Sequence, residues 1–446
     1  MFKSINKPLF TLSVLFNCAI LIGIGSGYWS QPYTIAFILT MVGLQFLSPK
    51  FWWTTFLSII SLLLVYIPIF PRITNHGNLE IFIGLFLLFL LVYKFKSITA
   101  NTFRPKNISY VFRYTLIAVY FMAGFHKLNA GFFSLSETCN LYVSNNLNTL
   151  LFGENFKPSL FLIRSSQIIT IIVEMLIPFG LLHYKTRKIS AWALVLFHFY
   201  LTLCGFSNFS ALAGFLLTGS LINFNKIEKN YKAFKAVRLY VFFSMLAVLT
   251  SFFITRFNLV ENTLIRFCNG VIFNLGWLLF FYFLITKTTY KKQKIKPTLL
   301  PFIPVLFIIL WSGQAYLGLS NSGNLTMFSN LVTEANRSNH YLIDTQKTKI
   351  WGFEENLVTI IKISDKYKWE GAGTLDGYAL PLIEFKTQVA KWSQKYEGPI
   401  ECILIYNGQS IHVDDLKNSQ FNDAKWWYPL IHYRRIALDG SNGCSW

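Results

Sequence analysis

The stretch Tyr110–Leu128, YVFRYTLIAVYFMAGFHKL, is mostly aliphatic and aromatic and closes on a histidine and a lysine. A helix of about 20 such residues crosses the hydrocarbon core of a bilayer, with a lower limit near 17. Working outward, similar apolar runs precede it at Leu9–Gly25, Tyr33–Ser48, Phe51–Phe70 and Ile81–Tyr93. Others follow at Phe161–Leu182, Ser190–Phe206, Phe209–Phe224, Ala236–Thr255, Leu264–Ile285 and Leu299–Leu319. The pattern predicts a mainly α, polytopic transmembrane helix bundle of about eleven spans over 1–319, followed by a small extracytoplasmic α/β domain over 320–446. The Ile81–Tyr93 run is short, so its helix extends into flanking polar residues. Only Ser207 and Asn208 separate two of the runs, which can also be read as one broken or re-entrant element.

Composition agrees with lipid as the solvent: 53% of the 446 residues are hydrophobic, 18% aromatic and 13% charged, against about a quarter charged in soluble domains. The net charge of +20 would suggest nucleic acid in a soluble protein, but its distribution excludes that partner. From Ser320 onward there are 13 Lys+Arg and 14 Asp+Glu, so the tail is near neutral, and the remaining bases sit between apolar runs. Alternate connections carry Lys3 and Lys7, Lys50, Lys94 to Lys106, Lys185 to Lys188, Lys226 to Arg238, and Lys287 to Lys296. The intervening loops hold little beyond Arg72, Lys157 and Arg256. The positive-inside rule therefore predicts a multi-pass protein of the cell membrane, with a cytoplasmic N-terminus and an extracytoplasmic C-terminal domain. Leu9–Gly25 also resembles a signal-peptide core; the absence of a clear small-x-small site favours a retained first helix.

The six cysteines, Cys18, Cys139, Cys204, Cys268, Cys402 and Cys444, show no metal-ligand spacing, and no metal centre is expected. Cys402 and Cys444 share the tail and could pair in an oxidising compartment. Within the tail, Leu357–Ser364 has strand character and Leu380–Glu397 helical periodicity. Ile400–Tyr406 and Ser410–Val413 flank Asn407-Gly408, a hairpin signal. Trp426, Trp427 and Tyr428 suggest a docking role for this domain, or simply pack the small domain or seat it on the membrane interface.

Ionisable groups at membrane depth cost about 2.5–3.5 kcal/mol each on insertion scales, so each needs a reason. Lys127 closes the Tyr110–Leu128 run on a stripe with Gly124, Tyr120, Ile117 and Arg113. It can snorkel to the headgroups, or serve a site that Gly124 opens to a neighbouring helix or a flat ligand. Glu174 shares a face with Arg164, Gln167, Thr170 and Pro178. It is either a buttress paired to a basic side chain or part of a cavity wall. His198 sits centrally in its run, with Thr202 and Gly205 on the same face. Three runs each presenting a titratable group make a stronger signal than any one alone. There is no HExxH, GxSxG or P-loop pattern.

Tyr120–Phe133, YFMAGFHKLNAGFF, resembles the motif of the vitamin K-dependent γ-carboxylase-like (HTTM) membrane family. VEMLIPFGLL at Val173–Leu182, FHFYLTL at Phe197–Leu203 and the segment Tyr316–Ile343 extend the resemblance in order. It implies a lysine acting as base on vitamin K hydroquinone or another reduced quinone, with O2 and CO2 as co-substrates, on the extracytoplasmic side. Oxygen addition then yields a strong base that removes a γ-proton from a peptide glutamate, and carbon dioxide traps the carbanion. Lys127 matches that lysine; the family's preceding lysine is replaced by His126, and His198 matches the histidine of the FH segment. Catalytic roles thus fall to Lys127, His126 and His198, and quinone contacts to Tyr120, Gly124 and Glu174. A neutral amine is needed in a base, and burial with a neighbouring cation lowers a lysine's pKa. The tail is much shorter than the animal enzyme's lumenal region, which leaves the modified secreted peptide or protein open. Two other readings compete: a non-enzymatic membrane module for peptide maturation, export or immunity, and a proton-coupled transporter using Glu174 and His198.

Overall fold

The computed structural model describes residues 105–222 (save 137), 231–257, 263–287, 301–334, 337–367 and 375–437. Before these it describes 32–47, 75–96 and scattered positions between 12 and 73, and Leu299 stands alone between 287 and 301. Most of Leu9–Gly25 and Phe51–Phe70, most of the basic connections and Cys444 lie outside the described residues.

Ten main helices are described before the sheet. They are α1 (Pro32–Leu47), α2 (Asn75–Lys96), α3 (Pro105–His126), α4 (Cys139–Phe152), α5 (Leu160–Ile171), α6 (Arg187–Leu203), α7 (Ser207–Leu221), α8 (Tyr231–Arg256), α9 (Thr263–Lys287) and α10 (Phe302–Gly313). The axis of α5 continues through a π turn, Ile172–Leu176, and a tighter 3-10 turn, Ile177–Leu181. The expected eleven-span bundle is overturned. Among the described residues, two helical stretches are long and apolar enough to cross a membrane, Ile108–His126 and Leu160–Leu181. Asn75–Phe89, Val237–Thr250, Gly270–Thr286 and Phe302–Leu317 are apolar but shorter.

The physical reason is visible in α7. Every residue from Ser210 to Leu221 is buried, so its apolarity is consumed inside the protein. A continuous apolar run reports burial without saying whether lipid or protein does the burying. The two runs around Ser207 are distinct helices. Helix α6 ends in a Schellman motif: Gly205 takes φ +99°, its N–H donates to Thr202 O at 3.0 Å, and Phe206 N–H donates to Leu201 O at 3.0 Å. Aromatic packing joins the helices at the core, with Phe112 of α3 edge-on to Phe215 of α7 and Trp277 of α9 against His198 of α6.

After α10 the chain makes a 3-10 turn, Gln314–Leu317, and runs irregularly to the short α11 (Thr345–Thr348). A five-stranded antiparallel sheet follows, in order β4-β3-β1-β2-β5. Its strands are β1 (Leu357–Ile363), β2 (Tyr378–Pro381), β3 (Cys402–Tyr406), β4 (Gln409–Val413) and β5 (Ile436–Ala437). Helix α12 (Leu382–Lys395) lays Phe385, Val389 and Trp392 over the sheet's buried Val358, Ile360 and Leu404. The β3–β4 hairpin turns at Asn407 and Gly408, whose φ values of 53° and 76° are what a type I′ turn requires.

Cys402 is a buried free thiol, so the pairing with Cys444 that the sequence left open is not formed, and Cys444 itself lies outside the described residues. Cys139 is disulfide-bonded.

Candidate functional site

Lys127 leaves the end of α3 in a turn fixed from three sides. Its N–H donates to Gly124 O at 3.0 Å. Asn129 Nδ2 donates to His126 O at 2.7 Å and Ser329 O at 2.6 Å, while its Oδ1 accepts from Phe132 N–H at 2.8 Å. Leu128 O accepts from Tyr341 N–H at 2.9 Å. The segment after α10 therefore holds the lysine's backbone in place. The polar stripe of α5 braces the same turn. Gln167 Nε2 donates to Phe132 O and Ser134 O, both at 2.8 Å, and Arg164 donates to Phe133 O at 2.5 Å.

Glu174 comes from the π turn that interrupts the helical line of α5. A π turn inserts one residue and shifts the following face, a device common at functional sites. Gly124 allows it to approach α3: a Cβ there would stand 2.5 Å from Met175 Cγ and 3.0 Å from Glu174 Cβ. Across this contact Lys127 Nζ donates to Glu174 Oε2 at 2.8 Å and to Ala123 O at 3.2 Å. Both side chains are nearly withdrawn from solvent, at 6% and 9% exposure.

The pair forms part of the wall of a cavity of about 290 Å³. Phe132, Phe197, Phe206, Phe209, Phe328 and Tyr200 supply aromatic surface, and Thr170, Asn140 and Asn208 add polar groups. The wall also draws on Asn75 and His76 from the start of α2, on Ser322–Phe328, and on His432 from the tail. Asn208 Nδ2 approaches His76 Nε2 at 3.4 Å. The wall segment after α10 is strained. Leu325, Phe328 and Asn330 take φ of 66°, 58° and 54°, a region that costs a non-glycine residue about 1 kcal/mol or more. Asn75 Oδ1 closely accepts the Leu325 N–H, and Asn330 Oδ1 accepts the Cys139 N–H at 2.8 Å.

Of the six residues expected at the site, Lys127 and Glu174 line the cavity and Gly124 permits their contact. The other three are buried behind it. His126 Nδ1 is 2.8 Å from the Tyr316 hydroxyl, and its ring stacks on Tyr316. The Tyr120 hydroxyl and His198 Nε2 form a close hydrogen bond, and His198 Nδ1 lies 3.1 Å from Ser210 Oγ. Phe209 and Trp277 complete the packing around His198. Sequence reasoning missed Asn75, His76, Asn208, the Ser322–Phe328 wall and His432. His76 carried the usable signal, a titratable side chain shortly before an apolar run.

His432 reaches the cavity because its neighbours are clamped. Its carbonyl accepts from Ser320 Oγ at 2.7 Å, and the Tyr433 hydroxyl donates to Gly318 O at 3.0 Å. Arg434 Nη2 bonds Glu334 Oε1 at 2.7 Å and Leu331 O at 2.5 Å, and its N–H donates to Asn321 Oδ1 at 3.0 Å. Burial would push the Glu334 carboxyl up, but the Arg434 guanidinium and the Thr333 N–H outweigh it and hold it below the ordinary value. Beside it, burial raises Glu354 to about 7 against the opposing pull of Lys349, whose Nζ is 3.0 Å away.

No protein-family model, curated protein or solved structure matches the chain. Among the described residues, no group of three or more His, Cys, Asp or Glu is placed to hold a metal ion.

Proposed function

We propose that the protein is a membrane enzyme resembling the vitamin K-dependent γ-carboxylase, with Lys127 as the base toward a reduced quinone and a secreted peptide or protein as the final substrate. The observation that carries this reading is the buried Lys127–Glu174 pair on the wall of an aromatic cavity. A flat diphenol suits such a cavity: the aromatic side chains cover its faces, and the ion pair meets one hydroxyl. Bound reduced quinone would supply the oxygen-reactive ring from which the chemistry draws its driving force. Within the chain, Glu174 fixes the lysine's position and offers a carboxylate to which its proton can pass. Gly124 and the π turn keep that pair aligned, and Phe132, Phe206 and Phe328 exclude water from it.

Membrane residence is part of the proposal. Helix α5 and the π turn that follows it leave Phe161 77% exposed and Leu176 65% exposed, with Leu162, Ile168, Ile169 and Ile172 also outward. Contiguous apolar surface of that kind is uncommon on water-soluble monomers and suits lipid. The disulfide at Cys139 favours an oxidising compartment for the cavity's side. A proton relay from Glu174 to His198 receives no support, because Glu174 lines the cavity while His198 is enclosed by Tyr120, Ser210 and Trp277.

The test is epoxide formation from vitamin K hydroquinone under air, by purified protein and its Lys127→Ala variant. Epoxide from the wild type alone is expected. Its absence from folded wild-type protein, or its persistence in Lys127→Ala, overturns the reading.

A further inference from the structure

We infer that the tail seats on the bilayer surface, on the side where α3 and α10 end, and that Tyr341, Leu342, Ile350, Trp426 and Leu430 meet the lipid there. Membrane residence, proposed above for the helices, is the premise, and the seat extends it to the α/β domain. Phe302 packs on Tyr114 with ring centroids 5.3 Å apart, and Tyr316 packs on Phe125 at 5.9 Å, so α10 runs parallel to α3. Their C-terminal ends therefore lie on the same side. Helix α10 turns Pro304, Ile308 and Ser312 inward and leaves Ile303, Leu306, Ile309 and Leu310 exposed, so an apolar outer face continues to its last turn.

The tail is bonded directly to those two ends. Tyr341 N–H donates to Leu128 O at 2.9 Å, just beyond α3. The N–H groups of Ile350 and Trp351 donate to Leu317 O, beyond α10, at 3.1 and 3.2 Å. Gly318 permits that contact, since a Cβ there would collide with Trp351 O. Phe353 then packs on Trp427 with ring centroids 5.7 Å apart, which brings the 3-10 turn Tyr428–Leu430 alongside. The side chains carried at these points face outward: Tyr341, Leu342, Ile350 and Leu430 are exposed, and Trp426 is 84% exposed. Packing within the domain accounts for Trp427 and leaves Trp426 without such a role. Tyr and Trp suit the boundary between headgroups and acyl chains, because each joins an apolar ring to one polar atom. Lys425, exposed beside Trp426, adds a charge suited to headgroup phosphates. Continuity with α10 favours lipid over a protein partner, because the bilayer that covers Leu310 extends to Ile350.

The experiment uses full-length protein reconstituted in phosphatidylcholine vesicles. Its fluorescence is compared with that of Trp426→Phe, so that the difference isolates one of the 12 tryptophans. Lipid brominated high on the acyl chain should quench the difference signal, and lipid brominated at the chain end should quench it less. Iodide in the water should cause no comparable loss. If Trp426→Phe does not fold, Leu430→Trp in otherwise wild-type protein reads the same surface through the signal it gains. A signal quenched by iodide and indifferent to brominated lipid overturns the seat and leaves the helices in the membrane. A signal shielded from both quenchers also overturns it and shows a protein on this surface, a second copy if dilution with lipid removes the shielding. Failure of folded wild type to enter vesicles overturns membrane residence and the seat together.

Discussion

Arg434→Met tests whether the tail is locked to the cavity by a buried charge pair. The guanidinium is 9% exposed and its Glu334 partner 2%, with Nη2 2.7 Å from the carboxylate. Methionine keeps most of the volume, so the loss is electrostatic. Removing one member of a buried pair costs about 3–5 kcal/mol, because the other charge stays in a low-dielectric site. The loss must depend on pH, and its sign is fixed. In the wild type the Glu334 carboxyl is held below its ordinary value, so it contributes stability above the unfolded value near 4.5 that disappears as pH falls through the folded one. In the variant burial still raises the carboxyl and the Thr333 N–H still opposes it, but the guanidinium is gone, so its folded value rises relative to the wild type and less stability is gained as pH rises. The gap between the two proteins therefore widens from about pH 4.5 toward pH 8. Unfolding midpoints of detergent-solubilised protein across that range measure it. Arg434→Met with Glu334→Leu should recover most of the loss, since a buried pair exchanged for apolar groups is often neutral. A gap that is constant with pH, or a double variant weaker than the single, would refute the locking role.

Glu354→Gln removes a carboxyl that burial raises to about 7. Its folded value exceeds the unfolded one, so its contribution is complete below about pH 4.5 and fades as pH rises through 7. The variant should flatten the wild-type decline in midpoint between about pH 4.5 and pH 7, and an unchanged slope there would count against it. His198→Phe strips partners from the Tyr120 hydroxyl and Ser210, lowering stability by about 1–3 kcal/mol while quinone affinity holds. A selective loss of affinity at full stability would return His198 to the site. Gly124→Ala drives a Cβ to 2.5 Å from Met175 Cγ, and relief should cost about 1–3 kcal/mol and shift Glu174 away from Lys127. Epoxidation should fall with it, and wild-type turnover in the variant would show that the close approach is dispensable.

The site was legible in the sequence where chemistry conflicted with surroundings. Lys127 and Glu174 stood out because each is an ion inside an apolar run, and the structure brings them to 2.8 Å. His198 stood out on the same ground, yet Tyr120 and Ser210 satisfy it, so a lone polar side chain in such a run marks either a site or a packed hydrogen bond. His126, beside Lys127 in sequence, turns to Tyr316, because neighbours at the end of a helix point in different directions. The hairpin at Asn407-Gly408 was legible because its turn chemistry is local. The number of spans was not: α7 is as apolar as a membrane helix and is buried all round.

The same limit explains why His432 went unseen, and it changes what the tail is for. No local pattern joins residue 432 to residue 127; Ser320, Asn321 and Glu334 make the connection from the strained segment between them. That segment also holds Asn129 and the Cys139 N–H, so one stretch of backbone supports the lysine turn and one face of the cavity. A domain appended only for docking would leave the helical site complete without it. Here His432 is part of the wall and Arg434 ties the retained segment through Asn321 and Glu334, so loss of residues 339–446 should abolish quinone binding itself, beyond any effect on capture of a peptide. Binding that persisted at wild-type affinity in the truncated, folded protein would confine the tail to docking. The dependence of the cavity on the tail makes the tail's fold a condition for the chemistry proposed at Lys127.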